Sequence, residues 1–174
     1  RASGFQDVDA KLSTREFIQM LFQAGIDIKK LPPEEFDSPL GSASGAGIIF
    51  GSTGGVMEAT LRTVYERLSG KPLKRLELKE VRSQEYKEAV INAGPYELKV
   101  AVARGTGAAR RLIDRMLEGK EEYHFVEVMA CPGGCVGGGG QPIYTETNDW
   151  NEQITHRVMR SRGLYELDRE KEYR

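Results

Sequence analysis

The chain has 174 residues, about one domain's worth. Its 25 lysines and arginines against 26 aspartates and glutamates leave a net charge of -1, which excludes a general polyanion binder. Hydrophobic residues at 39% suit a folded domain, no apolar run approaches the roughly 20 residues that span a bilayer, and two cysteines exclude a disulfide scaffold.

The opening residues Arg1-Ala2-Ser3-Gly4-Phe5 hold no apolar core of a signal peptide. Over residues 11–24, Phe17, Ile18, Leu21 and Phe22 recur at helical spacing. Ser13 and Glu16 form a capping box there, and Gly25 is the stop. A loop over residues 27–44 follows, broken at Pro32-Pro33 and Ser38-Pro39, and its length suits a partner-facing role. The apolar run at residues 45–50 predicts a short strand, and Gly51-Ser52-Thr53-Gly54-Gly55 a turn. Residues 56–68 predict a helix with Met57, Leu61, Val64, Tyr65 and Leu68 on one face, closed by Gly70 and Pro72.

Residues 73–81 predict a further strand and residues 84–93 a short helix. The strand–turn–helix pattern then recurs: a strand over 96–103, a turn at Gly105-Thr106-Gly107, and a helix over 108–117. A third strand, 123–129, runs into a glycine-rich loop. Residues 148–174 are helical and charged, with little to bury from Arg157 onward. They read as a solvated segment packing on the rest of the chain or on a partner. Two segments result, an α/β lobe at 1–147 and a charged helical segment at 148–174. Strands alternating with helices predict an α/β fold with a mostly parallel twisted sheet flanked by helices. Ligands of such sheets gather at the C-terminal strand ends, where these glycine loops fall.

Cys131-Pro132-Gly133-Gly134-Cys135 is the strongest chemical feature. Two thiolates four residues apart on a tight turn can face one centre, and thiolates are the natural ligands of iron–sulfur clusters and zinc. Glycines let backbone approach a bulky cluster and aim N–H groups at its sulfides. The competing readings are a local disulfide, a redox thiol pair and two unligated thiols. A zinc ion or a four-iron cluster needs about four protein ligands, and this chain offers two cysteines. His124 and His156 are the nearest supplements, although a lone histidine is more often simply packed. Gly51–Gly55 lacks the Lys-Ser/Thr of a phosphate loop and reads as a packing turn. Met57, Met116 and Met129 read as core fillers. Glu127, inside an apolar strand, must be paired, hydrogen-bonded or functional.

Glu127-Val128-Met129-Ala130-Cys131-Pro132-Gly133-Gly134-Cys135, with Val136 and Gly137-Gly138-Gly139-Gly140-Gln141-Pro142, resembles the third signature motif of the iron-only (FeFe) hydrogenases. Phe5-Gln6-Asp7-Val8-Asp9 through Thr14-Arg15-Glu16 resembles the segment after that family's second motif. Residues 46–59 resemble its strand–turn–helix. The resemblance covers nearly the whole chain and implies one lobe of a two-lobe catalytic domain. It implies an H-cluster, a 4Fe-4S cubane bridged by one cysteine sulfur to a two-iron subcluster carrying CO, cyanide and an azadithiolate.

By motif position Cys131 becomes a cubane ligand and Cys135 the ligand that also bridges to the two-iron unit. Met129 and Phe50 would line the pocket around that unit. The implied reaction is the reversible reduction of protons to hydrogen, fed by an electron-donor protein or by further iron–sulfur domains. The family's first and second motifs are absent here, and with them half the cubane ligands, the proton-relay cysteine and the cyanide-holding lysine. The chain is therefore expected to be a fragment that needs the N-terminal half of the catalytic domain. Alone it is expected to lack the H-cluster and activity, and to expose apolar surface that a homodimer would cover. Neither a nucleic-acid partner nor a membrane span is expected, and thiols favour the cytoplasm. Two rivals remain: a hydrogenase-like iron–sulfur assembly or scaffold protein without hydrogenase activity, and an interaction domain with a Cys131–Cys135 disulfide.

Overall fold

The computed structural model describes residues 4, 6, 8–34, 44–73, 79–81, 86–143 and 150–171. The Ser38-Pro39 step, residues 74–78 of the expected strand and the start of the expected helix at 84–85 lie outside them. The chain divides into two compact units, Arg1–Gly41 with Gly139–Asn148, and Ser42–Gly138 with Asp149–Arg174.

The first unit carries helix α1 (Thr14–Gln23) and a 3-10 turn, Ile28–Lys30. The expected capping box is present. The Glu16 N–H donates to the Ser13 hydroxyl, and the Ser13 N–H donates to the Glu16 carboxylate at 2.7 Å. Hydrogen bonding to the carboxyl from the Ser13 side chain, and next from the Ser13 N–H, holds Glu16 below its ordinary value. The box is therefore intact above the ordinary carboxylate range and is lost as pH falls through the lowered value. An NMR acid titration of the Ser13 amide should show a midpoint below that of an ordinary glutamate; a midpoint at the ordinary value would count against the box. No residue of α1 is buried, and Phe17, Met20 and Phe22 lie exposed. Arg15 reaches the end of the glycine run, its backbone N–H donating to Gly140 O and its guanidinium to Gly139 O.

The second unit is a four-stranded sheet between helices. Its strands are β1 (Lys79–Val81), β2 (Tyr86–Ala93), β3 (Tyr96–Arg104) and β4 (Phe125–Met129), in spatial order 1-2-3-4. Helix α3 (Gly55–Ser69) covers one face and α4 (Thr106–Leu117) the other. The two-residue period of β3 divides the core. Val100 and Val102 pack with Met57 and Leu61 of α3, while Ala101 and Ala103 pack with Ala108, Ala109 and Leu112 of α4. Helix α2 (Gly45–Ile48) and the adjoining 3-10 turn Ile49–Gly51 lie against α5 (Trp150–Glu170).

The α/β class and the flanking helices hold, but the strand directions differ from a mostly parallel sheet. Among the described residues β1–β2 and β2–β3 are antiparallel, and β3–β4 is the parallel pair. The cause is residues 84–93, expected as a helix. Glu, Lys and Ala favour helix, but residues 86–93 pair with β3 from Tyr86↔Ala103 to Ala93↔Tyr96. Ala89, Ile91 and Ala93 alternate inward, so sheet packing overrides propensity. Gly94, at φ +62°, followed by Pro95 closes the two-residue hairpin with the sign pattern of a type II′ turn.

A second correction falls at residues 45–50, which form α2 and the 3-10 turn rather than a strand. A short apolar run bounded by turn residues has no period that separates the two states. The helical turn buries both Gly45 and Ile49, four residues apart. Gly45 is packed so tightly on Asp168 that a side chain there would collide with it, and one at Gly55 would strike the Ile49 carbonyl.

Candidate metal centre

The cysteine turn hangs on the C-terminal ends of the two parallel strands. β4 leads into residues 130–138, β3 into Gly105 at the N-terminus of α4, and the Gly105 N–H donates to Met129 O at 2.6 Å. The turn is closed by Gly134 N–H to Cys131 O, then by a 3-10 turn in which Gly137 N–H donates to Gly134 O and Gly138 N–H to Cys135 O, each at 3.0 Å. Gly133 and Gly134 adopt φ of +86° and +90°, which only glycine takes without strain. Gly134 also abuts the Gly51–Thr53 segment, where a Cβ would stand 2.8 Å from Gly51 O and from Thr53 N. The Thr53 N–H donates to Gly133 O at 3.1 Å. The turn is thus held by backbone, and Cys131 and Cys135 are left as free, exposed thiols rather than a disulfide.

Glu127 resolves in favour of hydrogen bonding. It is 6% exposed, and its carboxylate accepts from Gly54 N–H at 2.6 Å and Met57 N–H at 2.7 Å. Gly54 is the N-cap of α3 and has no side chain to cap with. Glu127 supplies from β4 the acceptor that Ser or Asp supplies elsewhere, and places negative charge at the helix's positive end. One residue therefore ties the strand bearing the cysteines to the glycine segment beneath them.

The other expected site residues fall as follows. Met129 ends β4 and is partly buried. Phe50 is 48% exposed and directly precedes the segment on which Gly134 packs. His124 is occupied by structure, because its ring Nδ1 accepts from Lys99 N–H while its backbone N–H donates to Lys99 O. Among the described residues no three His, Cys, Asp or Glu side chains converge as a metal site.

The donor set fits an iron–sulfur cluster in part. Two exposed thiols on one backbone-anchored turn suit thiophilic iron, and they number half of the four thiolates such a cluster takes. Beneath the turn, Thr53 Oγ1 is buried without a hydrogen-bond partner, an orphan that a group bound there could satisfy.

The inner face of α5 was not legible in the sequence. Its residues at helical spacing reach successive parts of the unit. Arg157 packs against Gly133 and Gly137, and Arg160 donates to Val136 O at 3.0 Å. Ser161 Oγ lies 2.6 Å from Ser52 Oγ, and the Tyr165 hydroxyl donates to Glu58. Asp168, fully buried, receives two bonds of 2.8 Å from Arg62, whose guanidinium also bonds Glu58 at 2.6 Å. The Asp168 bonds raise the Arg62 pKa, and burial raises that of Tyr165. The charges of residues 157–174, expected as a solvated face, include this inward stripe. Its signal is the spacing 157, 160/161, 164/165, 168, masked because most of its members are polar.

The family model for the iron only hydrogenase large subunit, C-terminal domain, matches residues 1–139. The periplasmic Fe hydrogenase large subunit of Nitratidesulfovibrio vulgaris is 45% identical over 159 residues, covering 91% of this chain and 38% of that protein. A solved variant of the FeFe-hydrogenase HydA1 from Chlamydomonas reinhardtii superposes with a TM-score of 0.71 at 39% identity, over 91% of this chain and 46% of that one. A cytosolic Fe-S cluster assembly factor, narfl, from Xenopus tropicalis is 32% identical over 78% of this chain and 29% of its own length. The chain thus spans less than half the length of each of these proteins. With the family model covering most of the sequence, the chain belongs to the family of C-terminal domains of iron-only hydrogenase large subunits.

Proposed function

We propose that this chain is a part of a hydrogenase catalytic domain that contributes half of the thiolate ligands of an H-cluster. The observation that carries the reading is the anchored turn with Cys131 and Cys135 as exposed free thiols at the ends of the parallel strands. Bound there, the cluster would supply the redox chemistry that interconverts protons and hydrogen. Cys131 would hold the cubane, Cys135 would hold it and bridge to the two-iron unit, and Met129 and Phe50 would line the pocket. The remaining two thiolates must come from polypeptide beyond this chain, and electrons from a donor protein or from iron–sulfur domains. That polypeptide, or in its absence a second copy, would cover the exposed apolar residues Phe17 and Phe22 of α1. Free thiols favour a reducing compartment, the cytoplasm. No helix among the described residues is long and apolar enough to cross a membrane.

Anaerobic iron–sulfur reconstitution tests the reading, with wild type beside Cys131→Ser and Cys135→Ser. Iron and acid-labile sulfide are measured, then hydrogen after addition of a synthetic two-iron mimic. The chain alone should hold little cluster and make no hydrogen. Supplying the other half of the domain should raise iron and sulfide to a full cluster, and either serine variant should return them to background. Full cluster binding by the serine variants would overturn the reading, and hydrogen from the chain alone would overturn the need for a second half. The second reading is an iron–sulfur assembly protein, which the narfl relationship favours. A full cluster without hydrogen in the reassembled domain would select it. Gln141-Pro142, Phe50 and the higher identity to the hydrogenase support the first reading.

A further inference from the structure

We infer that α5 is a clamp on the cysteine turn, with Arg160 the positioning residue for Cys135 and Arg157 its support, an inference that rests on the thiolate reading above. The family model ends at residue 139, short of this helix. Cys135 lies between two fixed carbonyls. Gly133 O, two residues before it, accepts from Thr53 N–H, and Val136 O, one residue after it, accepts from the Arg160 guanidinium. The Val136 side chain is buried, so Cys135 is the exposed residue between anchors. The stem of Arg157 covers Gly133 and Gly137 from the same side. A Cβ at Gly137 would collide with the Pro132 carbonyl and stand 3.2 Å from the Arg157 Cδ, so the turn's own backbone requires the glycine and the arginine stem packs over it.

The rest of the stripe fixes the helix that carries these arginines. Ser161 meets Ser52, Leu164 packs over Gly51, and Asp168 is locked to Arg62. The clamp orders the turn in advance, so that less conformational freedom is lost when both sulfurs engage one metal.

The test uses the full chain as wild type, Arg160→Gln, Cys131→Ser, Cys135→Ser and, as a remote control, Arg110→Gln in the exposed Arg110–Asp114 pair. In the metal-free chain, amide hydrogen exchange is followed at Thr53, Gly137 and Gly138. Losing a charged hydrogen bond should speed exchange there about tenfold in Arg160→Gln, while Val100 and Val102 in the sheet keep wild-type rates. Cadmium(II) titration, read by thiolate-to-metal absorption, should show Arg160→Gln binding about tenfold more weakly than wild type and Arg110→Gln unchanged. Cadmium binding insensitive to both cysteine variants would sink the two-thiolate reading itself. Cysteine-dependent binding together with wild-type exchange and affinity in Arg160→Gln would sink only the clamp. An acceleration spread evenly to the sheet amides would also sink it, because Arg160 would then be a general stabiliser.

Discussion

Asp168→Ala is expected to lower the unfolding free energy of the chain by about 3–5 kcal/mol, among the largest effects of any single substitution in it. Asp168 is fully buried, and its two oxygens each receive a guanidinium N–H of Arg62 at 2.8 Å. Arg62 is itself 13% exposed, so removing the aspartate leaves a desolvated cation held, among the described residues, by Glu58 at one edge. A broken buried pair costs far more than an exposed one, because the surviving charge cannot return to water without moving its helix. The substitution also opens a void against Gly45, whose bare backbone packs on the carboxylate. Urea unfolding of wild type, Asp168→Ala, Arg62→Ala and the double variant measures the effect. The double variant should lose clearly less than the sum of the singles, since each single alone strands a partner. Additive losses, or a loss near ~0.5 kcal/mol for Asp168→Ala, would show a pair that behaves like a surface bridge. The prediction bears on the site, because Asp168 and Arg160 share one helix face, and release at one end should loosen the cysteine turn at the other.

The sequence was most legible where local chemistry and tertiary structure agree. The capping box of α1, the apolar stripe of α3 with its Gly70 stop, and the β3–α4–β4 run could all be read from spacing and caps, because each element's own residues specify it. The segments misread were those decided from outside. Residues 86–93 have helix-forming side chains yet are captured by the neighbouring strand. Residues 45–51 curl because Gly45 must approach Asp168, more than 120 positions later in the sequence. The site divides in the same way. The motif from Glu127 to Pro142 marks the two thiols and their glycines directly. What holds that turn in place is contributed by Thr53, Arg157 and Arg160, none of which carries a local signal pointing to cysteine. Glu127 was recognisable as anomalous, a carboxylate in an apolar strand, but its partners are backbone N–H groups some 70 residues earlier and leave no mark in composition.

Glu127→Gln is expected to lower stability by about 2–4 kcal/mol although it changes only one atom's identity. The carboxylate offers an acceptor to each of two buried donors, Gly54 N–H and Met57 N–H. Glutamine keeps one acceptor and turns an NH2 group toward the other N–H, so a satisfied donor becomes a donor facing a donor. An unsatisfied buried group costs about 1–3 kcal/mol. Losing the negative charge at the N-terminus of α3 adds up to about 2 kcal/mol in a buried geometry. The damage should be local in origin. Amide chemical shifts of Gly54 and Met57 should move most, and those of α4, on the opposite face of the sheet, least. The same loss frees the Gly51–Thr53 segment on which Gly134 rests, so the exchange of the Thr53 amide should quicken along with that of Met57. Glu127→Asp separates charge from reach: it restores the anion but shortens the side chain by one methylene, and both bonds, at 2.6 and 2.7 Å, need that length. Asp at this position should therefore stabilise no better than Gln. Full recovery by Asp would mean that the helix end responds to nearby charge alone, and that Glu127 does not act as the cap that joins the cysteine-bearing strand to the glycine segment beneath it.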